Sequence, residues 1–336
     1  VNIYVALPDN EFRRTFFTTK VKERLEGMSE VVWNPSAAAL SQEQMAAGLA
    51  AADICISGWS TPQIDRSMLT RSPLKLICNI GNMKGSLHRD IFETDVKVSS
   101  SQGGFTQSVA EACLMLLMMS FRNTYRFMHL LKTNTYRWKE DREPGRSIHG
   151  KTIGVLGYGT IAKELIRLLR SFDAEIVVCD DYCSEEEGLR EGFRVMALEP
   201  FLQSCDAVCI HHSLTANTYH LLDEPRLRMM KDNAIIVNTA RGAIIDEQAL
   251  IAELKQGRLF AALDVYEQEP IPSDSPLRLL PNTIITPHIS GFTYECRQGM
   301  VDAAVEDIRR FIQGEELLCQ IDAAKYDRAT DMSVGH

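Results

Sequence analysis

The run Gly157-Tyr158-Gly159-Thr160-Ile161-Ala162 follows an apolar, strand-like segment, Thr152–Leu156, and opens a helical pattern, Ile161–Leu169. At this spacing the first glycine allows a tight turn and the second lets a pyrophosphate reach the backbone amides. The small third residue lets the helix pack close to its strand. Asp180 ends the next strand-like segment, 21 residues past Gly159. A carboxylate there accepts from a ribose hydroxyl and repels a 2′-phosphate, which favours NAD over NADP. Asp181 adds to that repulsion.

Further polar groups stand just past later strand-like segments: His211-His212-Ser213, Thr239-Ala240-Arg241-Gly242, Asp264 and His288. In an open α/β sheet a ligand lies beyond the carboxyl ends of the strands, so these positions face it. An arginine there can hold an anionic substrate with its planar fork; alone, it could equally be a loop salt bridge. His288 follows a strand and Pro287; a lone histidine is as readily structural. In Asp264-Val-Tyr-Glu-Gln-Glu269-Pro270 two acids, Glu267 and Glu269, compete for the place beside an imidazole. A carboxylate there fixes the ring tautomer and favours the protonated form, which suits a general acid–base near neutrality.

Positioning these groups calls for an α/β architecture. Strand-like runs alternate with amphipathic ones nearly throughout, the pattern of doubly wound parallel sheets. The first block offers strands at Asn2–Leu7, Glu30–Trp33, Asp53–Ser57, Leu74–Asn79 and Val96–Ser99, with helices at Ser41–Ala52 and Pro62–Arg71. Ser41 followed by Gln44 reads as a capping box. The second block offers six strands, Thr152–Leu156, Glu175–Cys179, Ala207–Ile210, Ala234–Asn238, Phe260–Leu263 and Thr283–Thr286. Six is the count for a complete dinucleotide-binding sheet. Between the blocks, an apolar helix from about Phe105 continuing towards His129 is expected to be buried on more than one side, against a second domain or a partner subunit. A last helix, about Thr293–Ile312, is expected to return to the first block, and the tail beyond Asp327 to fray.

Composition bounds the partners. The 336 residues are 45% hydrophobic and 24% charged, typical of a globular chain, with 36 basic and 45 acidic residues for a net charge of −9. An acidic chain without a basic block is a poor nucleic-acid binder. Apolar runs such as Cys113–Met119 fall short of the roughly 18 residues of a membrane span, and Val1–Leu7 shows no signal-peptide pattern. Nine cysteines without a CxxC pair read as reduced thiols of a cytoplasmic protein. No metal is expected at the spacings Cys179/Cys183 and Cys205/Cys209.

The set Gly157-Tyr-Gly-Thr-Ile-Ala162, Asp180, Asn238-Thr-Ala-Arg-Gly242, Ala262-Leu-Asp-Val-Tyr-Glu-Gln-Glu-Pro270 and Thr286-Pro-His-Ile-Ser-Gly291, with Ser108-Val-Ala-Glu111, resembles the D-isomer-specific 2-hydroxyacid dehydrogenase family. The resemblance runs from about residue 97 to 315. It implies a nucleotide domain of Rossmann type, 103–291, inserted into a smaller flavodoxin-like substrate domain, 1–102 plus 292–336. It implies an NAD-dependent oxidoreductase that interconverts a small D-2-hydroxy acid and its 2-keto acid, in a homodimer joined through the long-helix region. Arg241, Glu269 and His288 would be catalytic. Asp264 would lie near the nicotinamide, and Thr160, Ile161 and Asp180 at the adenosine half. Gly157, Gly159, His212, Ser213, Thr239, Ala240, Arg241 and Gly291 complete the implied cofactor contacts. Backbone N–H groups of Gly81, Asn82 and Met83, with Arg241 and His288, would hold the substrate.

The chain departs from the family pattern at the substrate loop. Met83 stands for the second glycine of G-x-G-x-D, the aspartate is missing, and Ser100-Ser-Gln-Gly103 replaces Asn-x-Pro-Gly. Lys84 or Arg89 could therefore add a cationic contact for a diacid or phosphorylated substrate. Histidine and serine at 212 and 213 occupy a loop where the family has proline. A corepressor that senses NAD(H) on the same scaffold is the alternative reading. A methyltransferase gives the Arg–Glu–His set no place.

Overall fold

Each unit of the fold is built on strands rich in Ile, Val and Leu, the composition of parallel strands covered on both faces. The computed structural model describes residues 1–141 and 144–334, in two units: Val1–Thr106 with Thr293–Val334, and Gln107–Phe292. Residues 142, 143, 335 and 336, which the expected domain ranges include, lie outside the described residues.

The first unit holds β1 (Asn2–Val5), β2 (Glu30–Trp33), β3 (Ile54–Gly58), β4 (Leu76–Ile80) and β5 (Lys97–Ser100). They pair in parallel in the order β2-β1-β3-β4-β5, the flavodoxin-like order. A two-residue strand, Gln320–Ile321, adds antiparallel beside β5. Alternation along the strands sorts two faces. Ile3, Val5, Ile54, Ile56 and Cys78 pack with Met300, Val301, Ala304, Val305 and Ile308 of the helix Tyr294–Gln313. Tyr4, Ala6, Cys55 and Ile77 pack on the other side with Met45, Leu49 and Met83. The last long helix thus completes the first unit.

The second unit holds β6 (Thr152–Leu156), β7 (Glu175–Cys179), β8 (Arg194–Val195), β9 (Ala207–Ile210), β10 (Ile235–Asn238), β11 (Phe260–Leu263) and β12 (Thr283–Ile285). All seven are parallel, in the order β8-β7-β6-β9-β10-β11-β12. The order reverses between β6 and β9, the switch point at which such sheets bind dinucleotides. β8 escaped the sequence reading because two residues at a sheet edge carry no period.

Three expectations need correction. Pro62–Arg71 forms only a 3-10 turn, Arg66–Leu69, capped by Asp65. The long helix breaks: Thr106–Phe121 ends before Asn123, which sits at φ 49°, and a second helix runs Thr124–Lys132. Asparagine tolerates that left-handed conformation, so an apolar run with no Gly or Pro could still be interrupted. The first of these helices turns one face inward and leaves another exposed in the single chain. Ala110, Cys113, Leu116, Leu117 and Phe121 enter the core of the second unit, while Met115 and Met118 are 50% and 38% exposed. Ser101–Phe121 is long and apolar enough to cross a membrane on length and composition alone, and one face of it is core here.

The tail does not fray at Asp327 either. The helix Ala323–Asp327 buries Tyr326, whose hydroxyl donates to Leu87 O at 2.8 Å, and Ala329 packs on the same core. Asp307 ties this end of the chain to the sheet. Fully buried, it accepts from Ser99 Oγ, from Leu318 N at 2.7 Å and from Cys319 N at 3.0 Å. Hydrogen bonds to a charged group contribute about 1.5–3 kcal/mol each, and orphaned donors add a desolvation cost. Asp307→Ala is expected to destabilise the protein by about 3–5 kcal/mol. Denaturant unfolding checks this, with a loss below about 1 kcal/mol counting against it.

Candidate active site

The glycine turn follows β6. Gly157 adopts φ 98°, and a Cβ there would stand 2.6 Å from His212 N, so only glycine fits. Gly159 is the N-cap of the helix Thr160–Leu169, and nothing lies within 4 Å of where its Cβ would be. The space above that helix N-terminus is therefore open to an anion, which the helix dipole favours. Ala162 is fully buried among Ile153, Val155 and Leu165. Asp180 does more than await a ribose. Its Oδ2 accepts from Tyr158 N and its Oδ1 from Tyr182 N, both at 2.8 Å, so it pins the glycine turn to the end of β7. Burial pushes the His212 pKa down, opposed by the charges of Asp180 and Asp181. The carbonyl of Ser213 accepts from Thr218 Oγ1 at 2.6 Å.

Past β10, Asn238 grips its own loop. Its Nδ2 donates to Arg241 O at 2.9 Å and its Oδ1 accepts from Ala240 N at 3.0 Å. Arg241 Nη1 donates to Ala240 O at 2.5 Å. Arg241 Nε and Thr239 Oγ1 are buried without a hydrogen-bond partner among the described residues. Burial also lowers the guanidinium pKa, with the Glu269 charge opposing it. Unpartnered polar atoms at strand ends beside an open glycine turn fit a bound dinucleotide and an anionic substrate.

The two acids separate cleanly. His288 Nδ1 and Glu269 Oε2 are 2.6 Å apart, whereas Glu267 Oε1 lies 2.6 Å from His220 Nε2. Glu269 Oε1 also accepts from Tyr266 N at 3.1 Å. Burial raises the Glu269 pKa, but the His288 hydrogen bond and charge, the Tyr266 N–H and Arg241 outweigh it and hold it below the ordinary value. His288 sits at φ 55°, strained for a residue with a Cβ. Asp264, buried at the end of β11, secures it. Its carbonyl accepts from His288 N at 2.9 Å. Its Oδ1 accepts from Thr286 Oγ1 at 2.6 Å and Ile289 N at 2.9 Å, and its Oδ2 from Ser290 N at 2.8 Å. Gly291 continues that turn. Sequence reasoning placed Asp264 at the nicotinamide and missed this anchoring role, which needs the β11–β12 pairing to be seen. It also missed the buried contact of Cys113 Sγ with His211 Nε2, 3.8 Å.

In the first unit, Gly81 adopts φ 119° with the Trp59 ring against its Cα. Asn82 precedes the short helix Met83–Ser86, and the Met83 side chain is buried in the core, so only its backbone is free of that packing. The two cations expected to choose a dianionic substrate are already engaged. Lys84 Nζ donates to Asp327 O at 3.2 Å and pairs with Asp331 at 3.7 Å, and Arg89 holds Asp327 at 2.8 and 3.0 Å. They fasten the C-terminal segment, a role hidden in a sequence separation of more than 230 residues.

Comparison with known proteins agrees with this geometry. Residues 114–290 match the D-isomer specific 2-hydroxyacid dehydrogenase, NAD binding domain, family. The chain is 35% identical over 265 residues to a glyoxylate reductase of Thermofilum pendens, covering 76% of this chain and 77% of that protein. It is 33% identical over 252 residues to an (S)-sulfolactate dehydrogenase of Chromohalobacter salexigens, covering 74% and 81%. Among solved structures, a glyoxylate reductase from Paecilomyes thermophila superposes with a TM-score of 0.78 at 26% identity, over 95% of this chain and 98% of that one. The fold is also that of Rhodotorula graminis D-mandelate dehydrogenase, TM-score 0.81 at 24% identity, over 95% and 97%. This chain belongs to the D-isomer-specific 2-hydroxyacid dehydrogenase family of NAD-dependent oxidoreductases, which interconvert 2-hydroxy and 2-keto acids.

Proposed function

We propose that this chain reduces a small 2-keto acid of the glyoxylate or hydroxypyruvate class to its D-2-hydroxy acid, with Arg241, Glu269 and His288 as the catalytic set. The observation that carries this reading is the 2.6 Å His288–Glu269 pair in the same unit as a half-free Arg241. NADH, when bound along Gly157–Ile161, Asp180, His212, Ser213, Thr239, Ala240, Asp264 and Gly291, supplies the hydride. The Arg241 fork binds the substrate carboxylate and polarises the adjacent carbonyl. His288 gives the proton on its Nε2 to the carbonyl oxygen as negative charge develops there. Glu269, ionised at neutral pH, fixes the ring through Nδ1 and stabilises the imidazolium. The corepressor alternative finds no support, since the relatives are named as reductases and dehydrogenases.

The homodimer belongs to the same reading. Met115, Met118, Met128 and Leu131 expose an apolar face on the helices Thr106–Phe121 and Thr124–Lys132. Nine free thiols fit a reducing, cytoplasmic setting.

His288→Ala is expected to lower kcat by about two to four decades in NADH oxidation with glyoxylate or hydroxypyruvate, with NADH binding within about twofold of wild type. Near-normal turnover overturns the assignment. In Glu269→Gln the imidazolium loses its anion, so the fall of the reductive rate with rising pH moves to lower pH; an unmoved profile removes Glu269 from the mechanism. Asp180→Asn keeps an acceptor oxygen for the glycine turn but drops the charge. The preference for NADH over NADPH, read as the ratio of kcat/KM, is expected to fall by about tenfold. No change excludes Asp180 as the discriminating group. Sedimentation equilibrium should give twice 37.8 kDa for wild type and a monomer for Met118→Glu. A monomeric wild type rejects the dimer.

A further inference from the structure

Two loops that carry the proposed catalytic groups are joined behind the site by a second His–Glu pair. Gly242, next to Arg241, lies so close to the segment after β11 that a Cβ would stand 1.9 Å from the Tyr266 carbonyl carbon. Five residues on, Glu247 and Glu267 lock the same two segments reciprocally. Glu247 N donates to Glu267 Oε1 at 3.1 Å, and Glu267 N donates to Glu247 Oε2 at 3.2 Å. His220 reaches in from a third segment, with Nε2 at 2.6 Å from the same Glu267 oxygen and its backbone N donating to Ala243 O at 2.8 Å. Its φ of 48° is strained for a residue with a Cβ, a conformation that persists where surrounding contacts over-determine it. Tyr219 stacks on its ring at 4.0 Å between centroids.

The arrangement exceeds what two loops need to pack. Two carboxylates face each other, and burial followed by the Glu267 charge raises the Glu247 pKa. An imidazole donor beside the pair relieves that repulsion. The placement of Arg241 depends on this region because its guanidinium is tethered to its own backbone. Nη1 bonds the Ala240 carbonyl, and Nε has no partner among the described residues. Where the backbone of 240–242 goes, the fork follows. Asn238 bonds that backbone at Ala240 and Arg241, and the His220–Glu267–Glu247 group holds the chain just past it, at Ala243 and Glu247. The backbone of the His288 turn is secured through Asp264, and its ring through Glu269, two residues past Glu267.

We infer that His220, Glu247 and Glu267 are positioning residues, a clamp that sets the Arg241 fork for the substrate carboxylate. The inference rests on the role given to Arg241 above. The clamp acts on carboxylate binding more than on proton transfer, because Asp264 holds the His288 turn independently of Glu267, whereas the Arg241 loop takes bonds from the clamp itself at Ala243 and Glu247.

The test compares His220→Ala and His220→Gln in the full-length protein, well below their melting temperatures. For His220→Ala, KM for glyoxylate or hydroxypyruvate is expected to rise about tenfold, the size of one weakened charge-assisted contact, with kcat within about threefold. NADH affinity by fluorescence should stay within about twofold, since the glycine turn is untouched. Hydrogen exchange by mass spectrometry should quicken about tenfold across 241–247 and not across 157–169. Glutamine returns an N–H donor and should recover most of both effects. An unchanged KM in folded His220→Ala, a raised KM without faster exchange, or glutamine no better than alanine overturns the clamp. Should His220→Ala not fold, Glu267→Gln, which keeps an acceptor but loses the charge, should shift KM and exchange the same way, and no shift overturns the clamp. A wild type inactive on every 2-keto acid would sink the substrate reading instead, while the exchange rates still judge the clamp.

Discussion

The buried carboxylate of Asp264 fastens the turn after β12 to the end of β11, and the proposed acid–base group depends on it. Three donors converge on its two oxygens while its carbonyl takes the amide of His288. Those bonds hold His288 in a left-handed conformation that a flexible loop would leave. The same stretch of chain bends back through Tyr266, so that Glu269 arrives at the imidazole from the strand next door. A rigid sheet edge thus carries the groups that must meet within tenths of an ångström.

Parallel order makes this possible. Every strand of the second unit runs the same way, so the loops after β6, β7, β9, β10, β11 and β12 emerge on one edge. The first four contribute an open glycine turn, a carboxylate that braces it, a half-buried imidazole and a fork, and the last two together form the His288–Glu269 pair. Bracing recurs as the common device. Asp180 holds the glycine turn, Asn238 the arginine loop and Asp264 the histidine turn. In each case a side chain at a strand end satisfies backbone donors or acceptors that the sheet ladder no longer reaches.

The net charge of −9 looks unsuited to an anionic substrate until its distribution is considered. Many acids are spent in pairs with surface cations, as at Glu164–Arg167, Glu306–Arg309 and Asp327–Arg89. Arg241 differs because it is half-buried and its buried Nε has no hydrogen-bond partner among the described residues. A desolvated cation with a free edge attracts a carboxylate far more strongly than an exposed one, whatever the global charge.

Much of this was written in the order of residues. The strand-turn-helix at Thr152–Leu169, Asp180 one strand later, and the polar residues past each apolar run carry the parallel sheet and its ligand edge, because local period and turn chemistry are short-range properties. The amphipathic pattern of the last long helix likewise showed that it has a face to bury. What sequence could not settle were choices between equivalent neighbours. Glu267 and Glu269 are two residues apart, and only the path of the 264–270 loop gives one to His220 and the other to His288. Lys84 and Arg89 read as free cations until the C-terminal helix arrives to pair with them. The break at Asn123 has no glycine or proline to announce it, since asparagine is compatible with either conformation and packing chooses. Residue order determined the fold and the sheet edge that carries the proposed site. Long-range pairing decided which charged group meets which, because hydrogen bonds are fixed by distances that spacing along the chain does not encode.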